Sequence, residues 1–252
     1  MFLTSSSERD PSAGRREELA RNLAEVRSRI AAACAATGRD PADVALIAIT
    51  KTRPAADVLF LHELGLTDFG ENKDQEAAPK AAACAAAGVP IRWHFVGQLQ
   101  TNKAASVARY AGVVHSVDRV RLVRALGAAA RKAGRDQGAG RELTCLVQVS
   151  LAAAGPERGG VPIGELTQVA EAIEAEPGLV LGGVMAIAPL GVPPDQAFAP
   201  LRFCSETIRR IRPQATIISA GMSGDLEAAI GNGATHVRIG TALLGERRPP
   251  VR

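Results

Sequence analysis

The sequence is poor in lysine and in aromatic residues. Only five of its 30 basic residues are lysines, and Phe, Trp and Tyr together make up 3% of the chain. So few aromatic rings leave little surface for stacking on nucleic-acid bases. The formal net charge of +4 is scattered among 26 acidic residues rather than gathered in a basic patch. We therefore expect no nucleic-acid partner, and the position of each lysine becomes informative.

The sequence also lacks paired cysteines, a signal-peptide pattern and a long apolar run. Its cysteines are far apart, and those that lie in alanine-rich helical patterns are typical of small buried side chains. They are Cys34, Cys84, Cys145 and Cys204. No apolar run is long enough to cross a membrane. We expect no metal site and no membrane association, with a cytoplasmic location as the default.

Apolar spacing divides the chain into a tail, a helix and a long alternating region. Residues 1–14 are polar and without periodicity, which predicts a flexible tail. A helical stripe from Arg15 to about Thr37 predicts a long amphipathic helix, and its members are Leu19, Leu23, Val26, Ile30 and Cys34. Residues 15–245 form the predicted domain, and residues 246–252 form a short C-terminal tail.

In the alternating region, eight short apolar runs are separated by helical stretches. The predicted strands are 44–50, 68–71, 92–97, 113–116, 144–150, 181–186, 216–220 and 237–240. The predicted helices are 55–64, 75–87, 102–110, 119–133, 163–174, 194–210 and 225–232. This alternation predicts parallel strands with helical crossovers, and eight repeats favour a single α/β domain, a (β/α)8 barrel of the TIM type with an extra N-terminal helix. An open, doubly wound sheet is the competing fold.

A lysine follows the first predicted strand, in the sequence ALIAITKTRP. Because the loops after the strands build the site of such a barrel, we expect Lys51 at its mouth, where partial desolvation favours the neutral amine. A neutral amine can form a Schiff base with an aldehyde, whereas the guanidinium of arginine stays protonated. The alternative is a strand-end lysine whose ammonium group reaches solvent.

Small residues follow the last two predicted strands, in the sequences SAGMSGDLEAAI and RIGTALLG. The first predicts a turn that leads into a helix, with Ser223 as N-cap and Asp225 in the first turn. Glycines and helix N-termini expose backbone N–H groups to anions, and the second sequence repeats this pattern at Gly240 and Thr241. The loops after strands seven and eight of a barrel are a common phosphate site. Tight packing alone is the alternative.

A phosphate site opposite Lys51 suggests a phosphorylated aldehyde, for which pyridoxal 5'-phosphate is the obvious candidate.

Arg238 precedes the turn after the eighth predicted strand. An inward-facing arginine at this position could donate a hydrogen bond to the cofactor's pyridine nitrogen. A permanently charged donor keeps that nitrogen unprotonated, which weakens the ring as an electron sink. The alternative is that Arg238 pairs with an acidic residue in the barrel interior.

Seven motifs in this order and spacing resemble the pyridoxal-phosphate homeostasis proteins. They are ITKTRP, DFGENKDQE, RWHFVGQLQTNK, VHSVDR, GVMAIAP, SAGMSGDLEAAIGNG and VRIGTALLG, within residues 19–245. Members of that family are single-domain barrels similar to the N-terminal domain of bacterial alanine racemase. The resemblance implies that Lys51 carries pyridoxal 5'-phosphate as an internal aldimine and that Arg238 faces the pyridine nitrogen. It further implies a phosphate site lined by Ser219, Gly221, Met222, Ser223, Gly240 and Thr241, and a ring surrounded by Asn72, His94 and Met185.

The sequence departs from the family pattern at three places. Lys73 and Asp74 stand where Tyr and Val are usual, so the polarity beside the cofactor is expected to differ. Arg158 replaces a common lysine after strand five, which keeps the charge but cannot form an imine. Ala220 replaces a methionine before the phosphate turn. None of these changes removes the aldimine lysine or the phosphate donors.

The expected function follows from what surrounds the cofactor. A racemase needs acid and base groups on both faces of the substrate's α-carbon. We expect no second domain after the barrel to supply the opposite face. The resemblance implies a monomeric protein, not an enzyme, that binds, buffers or delivers pyridoxal phosphate to apoenzymes that depend on it. Two alternatives stay open: a pyridoxal-phosphate enzyme with weak amino-acid racemase or transaminase activity, and a cofactor-free Schiff-base aldolase acting on a sugar phosphate.

Overall fold

The computed structural model describes residues 11–138, 140–152 and 159–246, in which eight strands alternate with helices. The strands are β1 (Ala45–Ile49), β2 (Asp68–Glu71), β3 (Arg92–Phe95), β4 (Ala111–Val117), β5 (Leu143–Val149), β6 (Leu179–Ala186), β7 (Ile217–Ser219) and β8 (His236–Ile239). The helices are α1 (Pro11–Ala36), α2 (Ala55–Glu63), α3 (Asp74–Ala86), α4 (Ala104–Tyr110), α5 (Val120–Lys132), α6 (Leu166–Glu174), α7 (Pro194–Phe198), α8 (Leu201–Ile211), α9 (Leu226–Gly231) and α10 (Thr241–Leu244).

The eight strands pair in chain order to form a closed barrel. Every pair is parallel, and β1 closes the barrel by pairing with β8, with Ala45 opposite His236. Closure excludes the open doubly wound sheet and confirms the predicted (β/α)8 fold. Because all strands run the same way, their carboxyl ends meet at one mouth, where the loops into the helices lie.

The N-terminal helix α1 packs its apolar stripe against the barrel. All members of the predicted stripe, Leu19, Leu23, Val26, Ile30 and Cys34, are buried in one cluster with residues of β1, β8, α2 and α9. The described residues are already helical from Pro11, four residues before the predicted start at Arg15. The guanidinium of Arg15 then reaches Asp57 of α2 at 2.6 Å, which fastens this end of α1.

The predicted helix over 194–210 is wrong as a single element. The structure divides it into α7 and α8, with Pro200 as the N-cap residue of α8. A proline inside a continuous helix would remove one backbone hydrogen bond and clash with the preceding turn. The sequence prediction also omitted α10, a single turn that follows β8 directly.

The division into two tails and one domain stays a prediction, since residues 1–10 and 247–252 lie outside the described residues. Arg158 lies outside them as well. Within the described ranges, no helix is both long and apolar enough to cross a membrane. The four cysteines are buried and unpaired, which agrees with their interpretation as small apolar side chains.

Candidate functional site

A pocket of about 430 Å³ opens at the mouth of the barrel, between the loops after β1, β2, β7 and β8. Its size falls within the range of small-molecule sites. The structure brings seven of the predicted residues to its wall: Lys51, Asn72, Met222, Ser223, Arg238, Gly240 and Thr241. Its other lining residues are Ile49, Thr52, Arg53, Val96, Ile187, Gly224, Leu244 and Gly245. Lysine, arginine and the two glycine-rich loops therefore face one shared space.

Lys51 lies in a tight turn that we call the lysine turn, residues 50–53. The backbone N–H of Arg53 donates to the carbonyl of Thr50 at 3.0 Å and closes this turn. Thr52 has φ of 64°, the one non-glycine residue of the described chain with positive φ. Such a conformation costs about 1–3 kcal/mol and persists where surrounding contacts hold it. Here the carboxylate of Glu76 accepts from the Thr52 N–H at 2.9 Å, which fixes the turn on the side of α3.

A buried ion pair holds Thr50, the first residue of the lysine turn, in place. The ammonium group of Lys80 on α3 contacts the carboxylate of Glu71, and it also donates to the Thr50 carbonyl at 2.8 Å. The Thr50 hydroxyl donates to the same carboxylate at 2.6 Å. All three residues are buried. Because these groups hold Thr50 by both its side chain and its carbonyl, the backbone that precedes Lys51 has little freedom to move.

The opposite side of the pocket is formed by the two-loop wall, residues 221–225 and 240–241. Gly221 has φ of 90°, and a Cβ on it would lie 2.7 Å from the Cβ of Ala229. Only glycine combines this conformation with such close packing. The turn is closed by the carboxylate of Asp225, which accepts from the N–H of Met222 at 2.5 Å. Backbone geometry, rather than large side chains, shapes this wall.

Ser223 joins the two loops of this wall. The predicted role of Ser223 as N-cap of the next helix is wrong, because α9 starts at Leu226 and Asp225 is its N-cap residue. The Ser223 hydroxyl instead accepts from the backbone N–H of Ala242 in α10 at 3.2 Å. It therefore satisfies one of the free donors at the start of the other helix. A Cβ on Gly224 would meet no atom within 4 Å, so the backbone is open to the pocket there.

Arg238 lies under the two-loop wall with its guanidinium buried. Its Nη1 donates to the hydroxyl of Ser219 at 2.7 Å, and its Nη2 donates to the carbonyl of Ala186 at 2.9 Å. Burial lowers the pKa of Arg238 to about 10, although the charge of Asp225 opposes the shift, so the side chain stays cationic at neutral pH. No described carboxylate lies within ion-pair distance of it. The alternative in which Arg238 pairs directly with an acidic residue is therefore wrong within the described chain.

Four predicted site residues are buried and lie behind the pocket surface. Ser219 bonds to Arg238, and Gly221 forms the turn of the two-loop wall. Met185 packs inside the barrel with Val113 and Leu146. The fourth, His94, is 1% exposed in the barrel interior. Direct contact of these residues with a cofactor stays a prediction.

Asn72 reaches the pocket through a close backbone contact with Gly97. A Cβ on Gly97 would overlap the backbone of Asn72, so only glycine lets the chain after β3 approach the end of β2 this closely. This contact sets the position of Asn72 in the wall.

Sequence reasoning missed several residues that shape the site. The buried pair of Glu71 and Lys80 was not assigned a role, although Lys80 is one of the few lysines of the chain. Arg53 was missed as well; it donates to the Gly245 carbonyl at 2.7 Å and connects the lysine turn with the chain after α10. Its position directly after ITKT was the available signal. His115, inside the VHSV motif, also had no predicted role.

Comparison with known proteins places the chain among a defined set of relatives. The family model described as alanine racemase, N-terminal domain, matches residues 16–248. A pyridoxal phosphate homeostasis protein of Mycobacterium bovis is 44% identical over 245 residues, covering 93% of this chain and 95% of the relative.

Solved structures agree with these matches. PipY of Synechococcus elongatus PCC7942, solved with PLP bound, has a TM-score of 0.76 at 31% identity, covering 90% of this chain and 100% of PipY. Alanine racemase of Corynebacterium glutamicum shares the fold, with a TM-score of 0.64 at 14% identity, and covers 90% of this chain and 60% of the racemase.

Proposed function

This chain belongs to the family of pyridoxal phosphate homeostasis proteins, and we propose that it binds pyridoxal 5'-phosphate in the barrel-mouth pocket through Lys51 and takes part in the homeostasis of that cofactor. The family model and the 44% identical relative confirm the resemblance that the seven motifs predicted. The observation that supports the proposed site is the shared pocket, in which Lys51, Arg238 and the two-loop wall face one another.

The donor set of the pocket fits the chemical groups of this cofactor. The amine of Lys51 can add to the aldehyde carbon, with the carbonyl oxygen leaving as water. The open backbone at Gly224 and the turn at Gly240 and Thr241 are suited to the phosphate. Arg238 offers a fixed cationic donor for the ring nitrogen. When bound, the cofactor can withdraw electrons from an attached amine, and a guanidinium donor leaves that ability weak.

We propose a binding rather than a catalytic role. Among the described residues that line the pocket, only Lys51 has an ordinary side-chain base; the others are apolar, hydroxyl, amide, arginine or glycine residues. Racemisation requires proton donors and acceptors on both faces of the α-carbon. The relatives are named for homeostasis rather than for a reaction, which supports the same role. No exchange of the substrate α-proton in deuterated water is expected when amino acids are added; rapid exchange would contradict this role.

Borohydride reduction followed by peptide mapping tests the attachment site. The protein is incubated with pyridoxal phosphate, reduced and digested, and a phosphopyridoxyl group is expected on Lys51. Matched variants are Lys51→Arg, which should lose the label, and Lys132→Arg, on the exposed end of α5, which should keep it. A label found only on Lys73 or Lys103 would overturn the assignment.

We further propose that the protein acts as a monomer and passes its cofactor to apoenzymes. Light scattering during size-exclusion chromatography measures the mass of the particle directly. Transfer is measured by mixing the loaded protein with an apoenzyme that requires pyridoxal phosphate. Recovery of enzyme activity faster than the cofactor dissociates into buffer would support direct transfer, and recovery at the dissociation rate would contradict it.

A further inference from the structure

A continuous row of hydrogen bonds connects Arg238 to the opposite end of the barrel. Beyond the bond from Arg238 to Ser219, the Ser219 hydroxyl lies 3.0 Å from Nδ1 of His115. Nε2 of His115 lies 2.8 Å from Nδ1 of His94, and Nε2 of His94 lies 2.8 Å from the Asp68 carboxylate. Ser219 ends β7, whereas Asp68 begins β2. The row therefore runs from beneath the pocket to the other end of the barrel, where the strands begin.

The middle of this row is shielded from solvent, whereas its two ends reach the pocket at Arg238 and solvent at Asp68. His94 is 1% exposed, and His115 and Ser219 are not exposed at all. The side chain of Asp68 is 20% exposed. Buried polar groups that lack partners cost about 1–3 kcal/mol each, so each member of the row depends on its neighbours for hydrogen bonds.

The protons in this row are determined by the carboxylate of Asp68. Burial would raise the pKa of Asp68, but hydrogen bonds from His94 and Thr67 outweigh it and leave that pKa lowered. Burial lowers the pKa of His94 despite the hydrogen bond to Asp68, and burial lowers that of His115 further. The 2.8 Å contact between Nδ1 of His94 and Nε2 of His115 requires one of these nitrogens to be an acceptor. With both pKa values lowered, both rings are neutral at neutral pH, so each has one N–H and one acceptor nitrogen.

A single arrangement then satisfies every contact. His94 donates through Nε2 to Asp68, which leaves its Nδ1 as an acceptor. His115 must donate through Nε2 to that Nδ1, which makes its own Nδ1 an acceptor. The hydroxyl of Ser219 must donate to this nitrogen, and its lone pairs remain for Arg238. Each member of the row therefore donates a hydrogen bond to the next one, from Arg238 at one end to Asp68 at the other.

We propose that Asp68, acting through His94, His115 and Ser219, is a positioning residue that keeps the Ser219 hydroxyl as an acceptor for Arg238 and thereby holds the guanidinium in place beneath the pocket. All acceptor lone pairs of the row face the cation, and aligned hydrogen bonds strengthen one another. This compensates a buried guanidinium that has no described ion pair. The inference rests on the proposed function for its effect on the cofactor, but not for the proton arrangement itself.

Nitrogen NMR of the cofactor-free protein tests the arrangement. In the wild type, both His94 and His115 should be neutral with the proton on Nε2. Asp68→Asn should shift the ring-nitrogen signals of His115, two hydrogen bonds away, because an amide can donate as well as accept and permits the reversed row. Asp68→Glu should restore the wild-type pattern. Asp43→Asn removes the same charge at an exposed position and should leave the ring-nitrogen signals unaltered. A charged ring, an Nδ1 proton or unmoved His115 signals in Asp68→Asn would overturn the inference.

A double-mutant cycle on the affinity for pyridoxal phosphate tests the effect on the pocket. Asp68→Asn should weaken binding about fivefold, the size of one net hydrogen bond. In a Ser219→Ala background, the same change should have no further effect, because the row is already interrupted. Equal losses in both backgrounds would show that Asp68 does not act through Ser219. The two proposals can fail independently. If no cofactor attaches to Lys51 but the histidine protons lie as described, the proposed function is wrong and the proton arrangement stands.

Discussion

The lysine turn and the two-loop wall face each other across one pocket, yet they are held in place by different means. Charged and hydroxyl side chains hold the lysine turn, above all the buried pair of Lys80 and Glu71 that fixes Thr50. The two-loop wall is shaped by the backbone of Gly221, and two side chains complete it: the Asp225 carboxylate closes the turn, and the Ser223 hydroxyl joins the loops. The lysine turn thus depends mainly on a buried network of charged and hydroxyl groups, and the two-loop wall mainly on the path of its backbone.

This difference follows from the bonds that each side has to make. A covalent link to an aldehyde requires one amine at one position, so the turn that presents it has to be rigid. A phosphate accepts hydrogen bonds on every oxygen, and backbone N–H groups can supply the donors. Variants of the lysine turn should therefore have sharp effects on attachment, whereas variants of the two-loop wall should have graded effects on affinity and stability.

Of the substitutions that test this difference between the two sides, Lys51→Arg in the lysine turn is expected to have the largest effect. It keeps the positive charge but removes the only amine among the described residues that line the pocket, so covalent attachment should be lost completely while the unfolding temperature changes little. The absorbance of the bound cofactor and mass spectrometry after reduction measure attachment. Attachment retained in this variant would show that Lys51 is not the residue that forms the covalent bond.

The second largest effect is expected from Lys80→Met, which leaves Glu71 buried without its ion-pair partner. Such changes cost about 3–5 kcal/mol, and chemical denaturation measures the loss. Lys132→Met, at the exposed end of α5, should cost less than about 0.5 kcal/mol. In a Glu71→Gln background, the cost of Lys80→Met should fall. An undiminished cost there would contradict the assignment of the loss to a buried charge.

A smaller effect, on the other side of the pocket, is expected from Gly221→Ala. The new methyl group would meet Ala229 at 2.7 Å and occupy a backbone with φ of 90°. The expected loss is about 1–3 kcal/mol of unfolding free energy, together with weaker cofactor binding. Gly224→Ala is the matched control for stability, since its Cβ meets no atom within 4 Å. Equal stability of the two variants would remove the argument for a backbone-shaped wall.

The smallest effect is expected from Ser223→Ala. This substitution removes the hydroxyl that accepts from Ala242 and joins the two loops. A loss of about 0.5–1.5 kcal/mol is expected, as for one net hydrogen bond, and thermal denaturation measures it. Ser223→Thr keeps the acceptor and should retain most of the stability. A loss in the threonine variant as large as that in alanine would point to packing rather than to the hydrogen bond.

Local patterns predicted the barrel well because each strand and helix leaves its own period in the sequence. The stripe from Leu19 to Cys34 predicted the burial of α1, and the βα alternation predicted a closed barrel. Errors occurred where a single residue changed local geometry. Pro200 divided a predicted helix, and the predicted N-cap moved from Ser223 to Asp225.

The candidate site could be predicted only as far as it follows the strand ends. Lys51, Asn72 and Arg238 lie at the mouth because parallel strands place their carboxyl ends together. Lys80 could not be found in this way, since it lies inside a helical pattern that gives no reason for a buried charge. Its partner Glu71 lies on another element, so only packing reveals the pair.

By itself, the sequence determined the order of the eight strands, the single amine at the first strand end and the family to which the chain belongs. Periodicity and ordered motifs are local properties, and they can be read without the fold. The tertiary structure alone decided which charged and polar groups meet inside the barrel. Asp68 and Arg238 lie at opposite ends of the sheet and far apart in the chain, and only barrel closure places the two histidines and Ser219 between them. A hydrogen bond needs atoms within about 3 Å, and that condition is met in space rather than along the sequence.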